Sequence, residues 1–257
     1  MHRSAPAYAR LFLLILLSSL FACRSNPAME ETDTYAHLQD PVVRDILQKA
    51  IAYAGGLETW RSIRRLQYTK DFSLLLESGA LEKRYEQVHD YQYDPLRIEI
   101  RSLENGDQII TRLEDGIYSR TENGQMSGLS QQALEDAVNA STYVVGMLFS
   151  LLDPAAVILY AGKDTLPDKR AVDVLQVTYE NGAEALDVWK YYFDEEGKIV
   201  ANWVDTGDHF SLVENLTFER ANGILFNGIR KSYRVDSSGN KLYLRAEYTY
   251  GNYNVER

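Results

Sequence analysis

The sequence predicts a mainly β, α+β fold: one antiparallel sheet of about eleven strands, with an N-terminal helix and a second, apolar helix inserted midway. Three observations predict it. From Leu66 onward apolar and polar residues alternate, as in "LQYTKDFSLLL", where Leu66, Tyr68, Phe72, Leu74 and Leu76 fall on one face of a strand. Turn signals separate runs of this kind: Asn-Gly at 105–106, 123–124, 181–182 and 222–223, "DEEGK" at 194–198 and "DSSGN" at 236–240. Such turns join neighbouring strands, so the strands are expected to be sequential and antiparallel. One long stretch after Leu66 departs from this pattern and reads as helix.

At the start of the chain, "MHRSAPAYAR" carries Arg3 and Arg10 and no acid, and the uncharged "LFLLILLSSLFA" follows. That stretch falls short of the roughly 20 apolar residues a membrane-spanning helix needs. The layout is that of a secretory signal peptide over residues 1–22. Cys23 is the only cysteine, so no internal disulfide can form. The junction Leu20-Phe21-Ala22-Cys23 resembles the bacterial lipobox, which implies that Cys23 is diacylated and becomes the new N-terminus. Two acyl chains anchor a protein to a membrane without spanning it. Arg24 is not the aspartate associated with inner-membrane retention, so the resemblance implies the outer membrane. Residues 23–38 then read as the acylated cysteine and a flexible tether, and 39–257 as a single domain.

The first helix is punctuated in "DPVVRDILQKAIAYAGG": Asp40 caps it, Pro41 suits its first turn, and Gly55 and Gly56 stop it. Val42, Val43, Ile46, Leu47, Ala50, Ile51 and Ala54 recur three and four apart and form one stripe to bury. The inserted segment is "SQQALEDAVNASTYVVGMLFSLLDP", opened by Ser130 and ended by Asp153-Pro154. From Tyr143 to Leu152 it is apolar nearly all round, so it must be covered on more than one side. Two readings follow. A hairpin of helices here would fill the core against the sheet, whereas a lid over an apolar cavity would bring Tyr143, Val144, Met147, Leu148 and Leu151 to a ligand.

Composition narrows the function classes. Without the leader, which holds Arg3 and Arg10, 25 basic residues face 37 acidic ones, net −12. Phosphate backbones and anionic headgroups repel such a surface, so nucleic acid is not an expected partner. HExxH, GxSxG, Walker A and GxGxxG patterns are all missing, and no catalytic residue, metal ligand or cofactor is expected. His89-Asp90 and Asp208-His209 read as surface pairs. The eighteen tyrosines read as strand residues that tolerate a half-wet face.

The combination of a many-stranded antiparallel sheet, an early helix, an inserted apolar helix and a lipobox resembles the half-barrel of the LolA and LolB lipoprotein carriers. More locally, "AIAYAGGLETWRSIRRL" at 50–66, "LFSLLDP" at 148–154, "YYFDEEGKIVANW" at 191–203 and "NGIRKSYR" at 227–234 are similar to a family of secreted bacterial lipoproteins. The resemblance implies a strongly curved sheet whose concave apolar face accepts acyl chains beneath helices. Candidates for that face are Tyr68, Phe72, Leu74, Tyr85, Ile98, Ile100, Trp203, Phe210 and Leu212. The expected function is a non-enzymatic, lipid-anchored envelope protein that binds a lipid or acyl chain. The alternative is an interaction module with a filled core that docks onto an envelope protein.

Overall fold

The computed structural model describes residues 34–104, 106–179 and 187–257. The leader, Cys23, Asn105 and the Asn-Gly pair at 181–182 lie outside those residues. Among the described residues no helix is long and apolar enough to cross a membrane.

Helix α1, Pro41–Tyr53, begins where the sequence places it, with Asp40 accepting the Val42 N–H at 2.8 Å. Gly55 ends it at a φ of 115°, and a Cβ there would lie 2.4 Å from the Gly223 carbonyl oxygen. Val43, Leu47, Ala50, Ile51 and Ala54 are buried, while Val42 stays exposed at the margin of the stripe. Leu38, expected in the tether, is 5% exposed and packs with Val43 and Leu47, so the packed chain begins before residue 39. A short helix α2, Leu57–Arg61, carries Trp60.

The strands β1 (Arg65–Leu75), β2 (Leu81–Tyr93), β3 (Leu96–Glu104), β4 (Asp107–Glu114), β5 (Ile117–Glu122) and β6 (Gln125–Met126) form a meander. Helix α3, Gln131–Ser150, then carries the chain to the far edge of the sheet. From there β7 (Ala156–Thr165), β8 (Ala171–Tyr179), β9 (Val188–Phe193), β10 (Ile199–Asp205) and β11 (Phe210–Asn215) wind back. β14 (Ile229–Val235) and β15 (Lys241–Glu256) complete the return, and β15 pairs with β1. The result is one antiparallel sheet of 13 strands, in the order β6-β5-β4-β3-β2-β1-β15-β14-β11-β10-β9-β8-β7.

The crossing helix requires this sheet to curl. Strands about 4.8 Å apart would put β5 and β9 about 43 Å from each other if the sheet were flat. Yet Gln131, at the start of α3, donates to the Tyr118 carbonyl on β5 at 2.9 Å, and Tyr143 on the same helix bonds Tyr191 on β9. Those two helix positions are only about 18 Å apart along the axis. The sheet therefore wraps around α3 as an open half-barrel.

The element inventory departs from the expected one in four places, of which the two-residue strand β6 is the smallest. α3 is one continuous helix rather than a hairpin of helices. β7 was not expected: it is an edge strand whose Val157 and Leu159 are 40% and 57% exposed, so apolar residues occupy both faces and the alternation disappears. The alternating stretches "HFSLVENLTFE" at 209–219 and "ILFNGIRKSYRV" at 224–235, each of which reads as a single strand in the sequence, divide, and β12 (Phe218–Ala221) pairs with β13 (Ile224–Asn227) as a separate hairpin. The division is local. The Gly228 N–H donates to the Thr217 carbonyl at 2.8 Å, the Thr217 Oγ1 accepts the Ile229 N–H at 2.7 Å, and a Cβ on Gly228 would meet that hydroxyl at 2.4 Å. Turned away there, the hairpin buries Ile224 and Phe226 and bonds α1 through Leu225 N–H to Ala54 O at 2.9 Å.

Two apolar clusters fill one end of the concave face. One gathers Val43, Leu47 and Ala50 of α1, Met147 and Leu151 of the α3 end, and Leu175, Val177, Tyr191 and Phe193 of the sheet. The other gathers Leu66, Tyr68, Tyr91, Ile98 and Leu113 of the sheet with Val138 of α3 and Ile224 and Phe226 of the hairpin.

Candidate functional site

Register identifies the concave face residue by residue. On β1, Tyr68, Lys70 and Phe72 lie opposite His89, Gln87 and Tyr85 of β2, while Lys70 and Phe72 also lie opposite Tyr250 and Tyr248 of β15. His89 and Gln87 in turn face Ile100 and Ser102 of β3. Between this face and α3 is a cavity of about 920 Å³, walled on the helix side by Ala137, Ala140, Ser141, Val144 and Met147. That volume lies in the range of small-molecule sites, about 300–1,000 Å³. Asp136, Asn139 and Asp187 are both lining residues and exposed, which puts its mouth beside the first half of α3.

The roof of the cavity is held by polar and aromatic contacts at three points. The Tyr91 hydroxyl donates to Ser141 Oγ at 3.0 Å, and Ser141 donates back to the Val138 carbonyl at 2.7 Å. Tyr91 is itself within 2.9 Å of both the Tyr68 hydroxyl and His89 Nδ1, so one buried chain of hydrogen bonds ties three side chains of the sheet to the helix. Further along, Tyr143 bonds Tyr191. At the C-terminal end Trp60 of α2 stacks on Phe149 at 4.4 Å with the rings 5° from parallel, and Gly146 admits the Trp60 ring at van der Waals distance.

His89 does not have the surroundings of a base. It stacks on Tyr68 at 4.5 Å, and its two nitrogens meet the Tyr91 hydroxyl and Gln87 Oε1. Burial, with the Lys70 charge adding to it, lowers its pKa to about 3, so it is neutral across the physiological range. Asp90, its neighbour in sequence, points to the other face and is bound by Arg65 at 2.7 and 2.9 Å. His209 lies in the turn after β10 with Asp208 and Thr206.

Charge inside the cavity is distributed unevenly. Glu104 is 3.9 Å from Arg120, and Asp136 accepts from Gln132 at 2.9 Å. Lys70 forms no hydrogen bond or ion pair among the described residues; its ammonium lies over the rings of Phe72 at 4.5 Å, Tyr248 at 5.6 Å and Tyr250 at 5.9 Å. Arg230 is 5% exposed and donates to Asn215 Oδ1 at 2.7 Å and Asn202 Oδ1 at 3.1 Å, both neutral amides.

The residues expected to meet a ligand fall into four groups. Ile100, Tyr143, Val144 and Met147 line the cavity. Phe72 and Tyr85 stack at 4.4 Å on the same face, with Leu74 beyond them opposite Ala246. Tyr68, Ile98, Leu148 and Leu151 belong to the packed clusters instead. Trp203, Phe210 and Leu212 are a correction: they lie on the convex face, where Trp203 stacks on Phe210 at 5.5 Å and Lys190 sits 4.9 Å above its ring. The cause is a bulge between Ile199 and Ala201. Counting by twos from Ile199 places Trp203 inside, but the extra residue reverses the parity and turns Asn202 and Val204 inward. Lys70, Arg230, Asn202 and Trp189 of the wall were missed. One signal was present for Lys70: it interrupts the face shared by Tyr68 and Phe72 with a charge.

A half-barrel with a helix across its concave face and a cavity beneath that helix defines the LolA-like class of fold. Solved structures agree. The chain is 12% identical to a DUF1329 family protein from Desulfovibrio piger, over 83% of this chain and 93% of that one, with a TM-score of 0.52. It is 8% identical to a putative outer membrane lipoprotein-sorting protein domain from Vibrio parahaemolyticus, over 82% and 91% of the two chains, with a TM-score of 0.51. At these identities the likeness is one of fold. No family model and no curated protein matches the sequence.

Proposed function

We propose that the protein is a lipid-anchored bacterial envelope protein that binds a hydrophobic ligand, a lipid or acyl chain, in the cavity beneath α3 and catalyses no reaction. The cavity of about 920 Å³ on the concave face carries this reading, because it lies open between the sheet and α3 with apolar side chains on both walls. Ile100, Val144, Met147, Trp189, Val204 and Val213 supply apolar wall. Each Å² of ligand surface removed from water there contributes about 25 cal/mol, so binding needs no reaction and no cofactor. Cys23 is the proposed lipid attachment site and the outer membrane the proposed location, from the lipobox resemblance. The mouth beside Asp136 and Asp187 is the proposed route of entry.

Native mass spectrometry of the protein purified from an envelope fraction, followed by lipid extraction, tests the reading. A bound lipid of defined mass is the expected result, and Val144→Glu, which places a charge on the helix wall, is expected to lose it while keeping the β-sheet circular dichroism. An empty wild-type protein that also takes up no fluorescent fatty acid would overturn the proposal. It would favour docking onto an envelope protein, for which the edge strand β7, with Val157 and Leu159 exposed, is the natural surface.

A further inference from the structure

The wall of the cavity holds two cations, Lys70 and Arg230, that no carboxylate among the described residues neutralises. Lys70 on β1 and Arg230 on β14 flank β15: Lys70 lies opposite Tyr250, and Arg230 lies opposite Tyr248, two residues along the same strand. With strands about 4.8 Å apart, their backbones are roughly 10–12 Å from each other, a gap that two long side chains and one bound anion can close. Both side chains border the cavity.

Cations inside a protein are ordinarily paired, because an unpaired buried charge loses its hydration without recompense. The three carboxylates of this wall do not supply the pairing. Glu104 lies beside Arg120, Asp136 is held by Gln132, Asp187 is at the exposed mouth, and none is within ion-pair distance of Lys70 or Arg230. Neutral groups surround the two cations instead. Rings of Phe72, Tyr248 and Tyr250 hold the ammonium in place by cation–π attraction, and two asparagine amides orient the guanidinium. Such an arrangement fixes the direction of both charges and leaves them available to a ligand.

We infer that the ligand is an anionic amphiphile whose acidic head, a carboxylate or a phosphate ester, is held between Lys70 and Arg230 while its tail lies against Ile100, Val144, Met147 and Val204. The inference rests on the reading of the cavity as a site for hydrophobic ligands and adds the chemical class of the head. Burial lowers the Lys70 pKa to about 8, with Arg230 contributing, which still leaves an ammonium to meet an anion at neutral pH.

The test is a competition on the delipidated full chain in a nonionic maltoside, with adducts resolved by native mass spectrometry. Oleate competes against oleyl alcohol, dioleoyl phosphatidate against diolein, and inorganic phosphate is offered alone. In wild type each acid is expected to exceed its neutral counterpart by about tenfold or more, the scale of a charge-assisted hydrogen bond. Lys70→Met is expected to remove most of that preference without weakening the neutral probes, and Lys70→Arg to restore it. Lys70 leaves no orphaned partner when truncated, so this variant is expected to fold, whereas Arg230→Met would strand Asn202 and Asn215. Whichever acid binds more tightly names the head as carboxylate or phosphate. Equal binding of acid and neutral probes, or an equal loss of both in Lys70→Met, would overturn the inference and leave the cavity reading standing. Phosphate binding with no amphiphile bound, or no probe bound at all, would overturn both.

Discussion

The two ends of the concave face are built from the same strands and do opposite things. Along β1 the inward residues run from Leu66 and Tyr68, 0% and 2% exposed, to Lys70 and Phe72. Along β3 they run from Ile98 and Ile100 to Ser102 and Glu104, and along β10 from Ile199 to Asn202 and Val204. Each strand thus passes from core into cavity wall within a few residues. At the first end α1, α3 and the β12–β13 hairpin press directly on the sheet; at the second, among the described residues, only α3 reaches over it. The difference teaches that packed core and open cavity are separated along the strands rather than between domains.

The packed end is expected to respond to substitution by losing stability and nothing else. Leu47→Ala removes a fully buried side chain of the first cluster and is expected to cost about 2–5 kcal/mol in urea unfolding, with ligand preference unchanged. A smaller loss, about 1–3 kcal/mol, is expected of Tyr91→Phe, which deprives Tyr68, His89 and Ser141 of a shared partner. A change in ligand selectivity without loss of stability in either variant would break the division.

Acid provides a milder probe of the boundary, where His89 sits. Its folded pKa of about 3 lies below the ordinary value of 6.5, so between those values the unfolded chain binds a proton that the folded one does not. Stability is therefore full above pH 6.5 and falls as the pH drops, by about 1.4 kcal/mol at pH 5.5. The charged group bearing on it is Lys70, and the groups in contact are Tyr68, Gln87 and Tyr91. His89→Asn is expected to flatten this part of the pH–stability curve, read by thermal melts; an unchanged curve would assign the acid loss to other groups.

Much of the frame was legible because local chemistry determines it. Asp40 and Ser130 cap the helices they were expected to cap, and Asn123-Gly124 and Asn222-Gly223 adopt the positive φ of tight hairpins, 49° and 82°, 47° and 89°. Alternation correctly put Tyr68, Phe72, Tyr85 and Ile100 on one face. It carries no information on which part of a face is hollow, since that depends on how far the curled sheet stands from α3. Trp203 shows the other limit: one bulge reverses parity, and "GKIVANW" contains no residue that announces it. Periodicity is blind to the cations, because a charge on an inward strand position looks the same in sequence as one on a solvated face; Lys70 differs only in interrupting an otherwise aromatic face.

The smallest expected effect on stability belongs to the residue with the largest expected effect on ligand choice. Lys70→Met removes a desolvated ammonium but also gives up its contacts with three rings, and the two changes oppose each other, so unfolding free energy at pH 7 is expected to move by no more than about 1 kcal/mol, toward higher stability. Its pH dependence gives the sign independently. The folded pKa of about 8 lies below the ordinary 10.5, so at pH 7 both states are protonated and the folded state carries the full cost of the buried charge. Between about 8 and 10.5 the unfolded chain retains the proton longer, and wild-type stability rises with pH. The charges facing Lys70 are those of Arg230 on β14 and, across the cavity, Arg120, Glu104, Asp136 and Asp187, with His89 neutral. Denaturation of wild type and Lys70→Met at pH 7 and pH 9.5 is expected to show the wild type closing its deficit. A wild type that loses stability relative to the variant over that interval would mean that Lys70 is paired in solution, and the hollow end would then belong with the packed one.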